Sequence, residues 1–218
     1  MKKYIYIILF SLGIVTGIKA DFSMGVAGSL AFIDATGTET EGTAADTSDR
    51  SKSVDNIAVI ASIFAEKELA NGATIGFELV PFSADVSDQT HSRTESSDAG
   101  SGEGVTGSNT RTADAEVELF RTAYVEYPIR GALFKLGYSQ IDVNTKENKL
   151  TNGGTYGDAT LDGITVGLGF KKDAGNVFYK GMFEYTDFET LKLNSSTNNK
   201  IEADLDVTQF KVYVGKTF

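Results

Sequence analysis

The chain has no cysteine, only two prolines and a single histidine among its 218 residues. Without cysteine it can form neither a disulfide framework nor a lipoprotein anchor. Long apolar runs are scarce as well. The run at 4–15 is the longest, and a transmembrane helix needs about 20 apolar residues. The mature chain is therefore predicted to lack a transmembrane helix and to depend on backbone pairing and packing.

The amino terminus has the pattern of a secretion signal. Lys2 and Lys3 precede the apolar run, and Ala20 is a small residue before Asp21. A charged head, a short apolar stretch and a small residue at the cleavage point are the elements that export requires. We expect a cleaved signal peptide at 1–20 and a single domain at 21–218.

The chain is acidic, with a formal net charge of -10. Nucleic acid is excluded as a partner because phosphate binding needs clusters of basic residues, and the sequence has none. The acidic stretches lack the fixed ligand spacing of a calcium loop, so neither a metal nor a cofactor is predicted. His91 lies among Ser, Thr and Asp in a segment without periodicity, which gives a hydrolytic triad no ordered frame. We therefore expect no enzyme activity.

Alternation of apolar and polar residues recurs in eight segments of 21–218. In the first, Phe22, Met24 and Val26 face one way while Ser23 and Gly25 face the other. Such a period of two indicates half-buried strands. Three short connections alternate with four long ones, expected at 34–53, 83–113, 144–157 and 190–200. This pattern predicts an all-β fold, an eight-stranded antiparallel transmembrane β-barrel with both termini in the periplasm.

Three features of the sequence disturb the alternation. The second strand is apolar on both faces, although Ser62 and Glu66 favour even residues inside. In the fourth strand Arg121 interrupts the apolar face, so either it lies near the membrane surface or a bulge shifts the phase. Pro81, near the end of the third strand, is tolerated only where a ladder hydrogen bond is missing.

The carboxyl terminus, FKVYVGKTF, places Phe210, Val212 and Val214 at intervals of two and ends on Phe218. This closing strand resembles the C-terminal assembly signal of small bacterial outer-membrane barrels, the superfamily of the OmpA transmembrane domain and the OmpX-like and OmpW-like proteins. The resemblance is one of architecture over the whole mature chain. Lys216 departs from it, since an aromatic or aliphatic residue is usual there.

The resemblance implies residence in a Gram-negative outer membrane. It also implies contact with outer-membrane lipids, and delivery by periplasmic chaperones to the barrel-assembly machinery. A ligand for the long acidic loops is expected but not identified. A periplasmic lipocalin-type carrier would instead place the apolar residues inside the barrel.

The inward-facing charges are expected to form a polar network in the lumen. An eight-stranded barrel is only wide enough for its own side chains, and an unpaired buried charge is costly. The predicted members are Glu66, Glu78, Glu116, Glu118, Glu126, Lys135, Lys180, Glu184 and Lys211.

A packed lumen predicts a role in envelope structure or surface interaction. The alternative is a narrow channel for ions or small solutes, including hydrophobic ones. An OmpW-like route for apolar solutes would require an apolar pocket that opens sideways through the wall.

Overall fold

The computed structural model describes residues 22–40, 49–85, 91–95, 109–147, 155–195 and 199–218. The expected signal peptide at 1–20 lies outside them. The strands are β1 Phe22–Thr40, β2 Asp49–Glu68, β3 Thr74–Leu79, β4 Ala84–Asp85, β5 His91–Glu95, β6 Asn109–Ile129, β7 Ala132–Glu147, β8 Ala159–Ala174, β9 Val177–Phe188, β10 Leu191–Asn194 and β11 Lys200–Thr217.

Eight of these strands close into a ring. The order is β1-β2-β3-β6-β7-β8-β9-β11, and β11 returns to pair with β1. Every neighbouring pair is antiparallel, and the closing pair runs in register from Ser23↔Thr217 to Thr40↔Lys200. The short strands β4 and β5 add to β6, and β10 adds to β11. The expectation of an eight-stranded antiparallel barrel is confirmed.

No helix among the described residues is long and apolar enough to cross a bilayer.

The side chains alternate between the lumen and the outer surface as the sequence predicts. On β1, Ser23 and Ala27 are buried in the lumen, whereas Met24 and Val26 are about half exposed on the outside. The outward apolar residues continue around the ring and include Val125, Leu136, Ile164, Val166, Leu168, Phe183, Phe210 and Val212. A continuous exposed apolar band around a closed sheet is the surface that lipid covers.

A row of carboxylates marks the outer limit of this band. Asp34 pairs in register with both Asp55 and Asp206, and Asp206 pairs with Asp187. All four lie in the outward phase, and like charges so close together require water or counterions rather than hydrocarbon. The stretch from Phe22 to Phe32 below them matches the roughly 9–11 residues of a tilted transmembrane strand.

The strands continue beyond the carboxylate row, where we expected loops. In the segment 34–53, β1 runs on to Thr40 and β2 begins at Asp49. Thr36 and Thr38 exchange hydroxyl hydrogen bonds with Ser53 and Ser51, at 2.9 and 2.8 Å. The expectation of a loop was wrong here because backbone ladders and hydroxyl pairs extend a hairpin without apolar side chains.

The other expected loops also contain strand. The segment 83–113 includes β4, β5 and the start of β6, 144–157 includes the end of β7, and 190–200 includes β10. His91 thus lies in a strand that pairs with β6. The connections at the opposite end of the barrel are short, as predicted. One is the turn at Arg130 and Gly131, where both residues have positive φ, which favours a two-residue hairpin.

Candidate functional site

The outer half of the lumen contains an apolar cavity of about 280 Å³. Ile33, Ile141, Phe188 and Val207 line it from the inner faces of four strands, and all four are at least 90 % buried. Among the described lining residues only Ser83 is polar. An apolar cavity of this kind excludes water and accepts apolar ligands.

A bulge in β6 turns apolar side chains into this cavity. The register with β7 shifts between Glu118 and Arg121, so β6 carries one extra residue. Leu119, at the bulge, has a φ of 49°, which is unusual for a residue other than glycine. Val117 on one side of the bulge and Phe120 on the other both line the cavity as a result. The bulge therefore re-aims β6 towards an apolar lumen, as bulges beside functional sites often do.

In the part of the chain that the structure describes, the barrel wall is open beside the cavity. The ladder between β2 and β3 runs only from Glu68↔Thr74 to Ile63↔Leu79. Above Ile63, β2 pairs with β1 but with no other strand among the described residues. The chain that leaves β3 stays with β6, since the N–H of Val80 donates to the carbonyl oxygen of Phe120 at 2.7 Å. We call this opening between β2 and the 80–83 segment the seam.

The cavity reaches the outer surface through the seam. Val59 and Ala61 point outward from β2, yet both belong to the cavity lining. Val59 is 84% exposed, and Phe82 on the other side of the seam is 64% exposed. The cavity therefore extends from the centre of the lumen to the lipid-facing surface.

A layer of hydroxyl groups lies next in the lumen towards the periplasmic end. Thr122, Ser139, Thr165 and Thr186 form a continuous chain of side-chain hydrogen bonds at 2.8, 2.6 and 2.7 Å. Gln209 lies nearby on β11 and donates to the Ser29 hydroxyl at 3.2 Å, while its Oε1 is buried without a partner among the described residues.

Two glutamates and two lysines form a buried cluster beyond the hydroxyl layer. Lys135 Nζ contacts Glu184 at 2.8 Å and Glu78 at 3.3 Å, and Lys211 Nζ contacts the same carboxylates at 3.0 and 2.9 Å. The Tyr213 hydroxyl donates to both carboxylates. Each charge meets at least two partners, which offsets the cost of its burial.

A second cluster lies alongside, with fewer cations. Lys180 Nζ contacts Glu66 at 2.6 Å and Glu126 at 3.0 Å, and the Tyr124 hydroxyl donates to Glu66 at 3.1 Å. A single lysine is thus the ion-pair partner of two carboxylates. Seven of the nine residues predicted for the lumen network lie together in these two clusters.

Glu116 and Glu118 are the two that do not. They pair in register with Asn144 and Asp142, while the residue between them, Val117, pairs with Val143, which is buried in the lumen. The prediction for Glu116 and Glu118 was wrong because the bulge reverses the phase of β6. Hydrogen bonds from Lys146 and from Ser83 lower the pKa of Glu116.

Arg121 also faces outward. A bulge is present, but it reverses the phase of the residues before Arg121 and leaves Arg121 on the outer face, so its position near the membrane surface is the explanation that holds. Arg121 follows the bulge, and it lies at the outer edge of the apolar band, where its guanidinium bonds Asp142 at 3.1 Å and Gln140 at 3.2 Å. A cation paired in this way near the membrane surface costs far less than one at the midplane.

The periplasmic side of the lumen is filled by aromatic rings. Phe64 packs edge-on against Tyr213, with ring centroids 5.3 Å apart, and it also contacts Phe178. Glycine is needed opposite these rings, since a Cβ at Gly215 would collide with Phe178. Together with the two charged clusters, these rings close the axis of the barrel.

The closing strand presents its apolar face to lipid. Phe210, Val212, Val214 and Phe218 are between 41% and 66% exposed on the outer surface. A closed antiparallel sheet with a polar interior and an apolar outer band is the form in which a β-sheet crosses a bilayer. This chain folds as an eight-stranded transmembrane β-barrel.

Several solved structures of outer-membrane proteins are similar to this chain at low identity. The Escherichia coli protease OmpT matches with a TM-score of 0.48 and 8% identity, over 93% of this chain and 99% of its own. Outer membrane protein AlkL matches at 0.42 and 13%, over 94% of each chain. Neisserial surface protein A matches at 0.41 and 8%, over 92% and 100%. No protein-family model and no curated protein matches the sequence.

Other candidate chemistry finds little support in the geometry. The described residues contain no group of three or more histidine, cysteine or acidic side chains placed to hold a metal ion. The side chain of His91 lies outside what the structure describes.

Proposed function

We propose that this barrel takes small apolar molecules into its outer lumen and releases them sideways into the membrane. The observation that carries the proposal is the course of the cavity. It runs from Ile141 and Val207 at the centre of the lumen to Val59 at the lipid-facing surface, with Phe82 on the other side of the seam. A molecule in this cavity could reach lipid without crossing the polar half of the lumen.

The size and lining of the cavity indicate the class of ligand. An apolar cavity of about 150 Å³ stays dry and binds benzene. At about 280 Å³ this one suits a molecule of roughly twice that size, such as a bicyclic aromatic or a medium-length hydrocarbon. The near absence of polar groups from the lining favours hydrocarbon over charged or sugar-like solutes.

The inner half of the lumen supports lateral release over axial passage. The lysines Lys135, Lys180 and Lys211 are at most 3% exposed and contact carboxylates on opposite sides of the barrel. An ion or solute moving along the axis would have to break several buried ion pairs. The alternative of an ion channel is therefore less favoured.

The outer membrane supplies the partners that this function needs. Lipids of the membrane are the acceptor for the released molecule. Biogenesis would follow the route expected from the sequence, with a cleaved signal peptide, periplasmic chaperones and the barrel-assembly machinery, which would recognise the terminal strand at Phe210–Phe218.

Surface interaction through the loops is the second candidate. It is favoured by the strands that project beyond the carboxylate row, with β1 reaching Thr40 and β2 beginning at Asp49. A loop ligand would bind there without entering the lumen. The same projecting strands would also frame the entrance to the cavity, so the two functions are compatible.

The test measures entry of N-phenyl-1-naphthylamine, an apolar dye that fluoresces in membranes, into Gram-negative cells with and without the protein. We expect the full-length protein to raise the initial rate of fluorescence increase. Val207→Trp fills the cavity and should return the rate to that of cells without the protein. Val26→Trp, on the lipid face of β1, is the matched control and should retain the full rate.

Folding of each variant is checked by heat-dependent gel migration, which separates closed barrels from unfolded chains. Equal rates for wild type and Val207→Trp, with both barrels folded, would contradict the proposal and leave surface interaction as the function. Discrete conductance steps for the wild type in a planar bilayer would instead support the alternative function, an ion channel.

A further inference from the structure

Phe82 lies in the seam, where it is both exposed and part of the cavity lining. Its side chain is 64% exposed and at the same time lines the cavity. Val59 faces the same opening from β2. Among the described residues, the seam is the only place where the cavity meets lipid. The aromatic ring of Phe82 covers part of it.

The segment that carries Phe82 is held on one side alone. Below it, Leu79 pairs with β2 and β6, and above it Ala84 pairs with Val117 of β6. Between these anchors, the one backbone hydrogen bond found in the described residues joins Val80 to Phe120. Pro81 has no N–H to donate. The 80–83 segment is therefore fixed to β6 at its ends, and no backbone hydrogen bond joins it to β2 among the described residues.

We propose that Phe82 is the gate residue of the seam, and that the size of the side chain at this position determines which apolar molecules pass. This inference rests on the lateral release described above. When the ring lies against the β2 edge near Val59, the cavity is closed to lipid. When the 80–83 segment moves away from β2, the cavity opens. Hinged segments with few backbone bonds commonly control access in this way.

The first test varies the side chain. Phe82→Ala should raise the initial rate of dye entry above that of the wild type, because a smaller side chain leaves the gate open. Phe82→Trp should lower it below the wild-type rate. Phe183→Ala is the matched control, since Phe183 is a lipid-facing phenylalanine with 55% exposure on β9, away from the seam. If the initial rate of dye entry does not change with the size of the side chain at position 82, Phe82 is not the gate residue.

The second test closes the seam covalently. The chain has no native cysteine, so a Val59→Cys, Phe82→Cys pair can be joined by a reducible bismaleimide. Entry of the dye should fall to the level of cells without the protein and return after reduction. The control pair Val125→Cys, Leu136→Cys joins directly opposed residues of β6 and β7, where the wall is already closed. It should have no effect.

The two proposals fail in different ways. If wild type and Val207→Trp admit the dye equally, lateral release itself is wrong. If Val207→Trp blocks entry but the tethered Val59→Cys, Phe82→Cys protein still admits the dye, release is correct and Phe82 is not its gate.

Discussion

Val80 donates its backbone N–H to the carbonyl oxygen of Phe120 at 2.7 Å, directly above the last residue of β3 that pairs with β2. Both residues line the apolar cavity. This bond directs the chain towards β6 and leaves the facing edge of β2 without a strand among the described residues. Open edges at membrane depth are tolerated only where they line a cavity or are covered by protein.

Hydrogen exchange should reveal the open edge. In the stretch 57–62 of β2, alternate amides point towards the seam and have no ladder partner in the described residues, so we expect them to exchange quickly. Leu30 and Ala31 of β1 are the control, because β1 pairs on both sides at this level. Exchange can be followed by mass spectrometry in lipid discs. Equal protection of the two stretches would contradict an open seam.

The alternation of the sequence was sufficient to predict most of the fold. Lys135, Lys180 and Glu184 lie in strands whose phase is regular, and an inward position follows directly from a period of two. The aromatic and aliphatic residues opposite them had to face lipid. Pro81 also indicated a missing ladder bond, which is where the seam begins.

The cavity could not be predicted in the same way. Arg121 left a bulge open as one alternative, but leucine seldom adopts positive φ, so nothing in the sequence placed the bulge at Leu119. Without it Glu116 and Glu118 belong in the lumen. The position where β3 leaves β2 depends on which backbone groups find partners in three dimensions. The local sequence pattern does not predict which backbone groups will pair.

The positive φ of Leu119 should strain the backbone at the bulge, and glycine at this position should remove the strain. Leu119 has a φ of 49°, which costs a residue with a Cβ roughly 1–2 kcal/mol. Leu119→Gly should therefore stabilise the barrel by up to about 1 kcal/mol, because its outward side chain is 44% exposed and contributes little packing. Unfolding in urea from lipid vesicles measures the difference.

Leu136→Gly is the matched control for the bulge. Leu136 is 61% exposed on the lipid face of β7, in regular strand, so glycine there should destabilise by at least the roughly 0.5–1 kcal/mol that separates glycine from alanine, since the contact of the leucine side chain with lipid is lost as well. If both glycine variants lose stability to the same extent, Leu119 is not strained.

The buried clusters should respond unequally to loss of a carboxylate. The buried residues include four glutamates, at 66, 78, 126 and 184, against three lysines, at 135, 180 and 211. The excess negative charge falls where Lys180 alone serves Glu66 and Glu126. Glu126→Gln removes this excess and should leave the free energy of unfolding unchanged or raised.

Glu78→Gln should have the opposite effect. Glu78 contacts Lys135 at 3.3 Å and Lys211 at 2.9 Å, and its loss leaves two buried lysines to share Glu184. Breaking a buried pair in this way costs about 3–5 kcal/mol. Urea unfolding at neutral pH compares the two variants, and heat-dependent gel migration confirms that both fold. A loss of several kcal/mol for Glu126→Gln as well would show that the second cluster needs both carboxylates charged, and that its apparent imbalance is met by another cation.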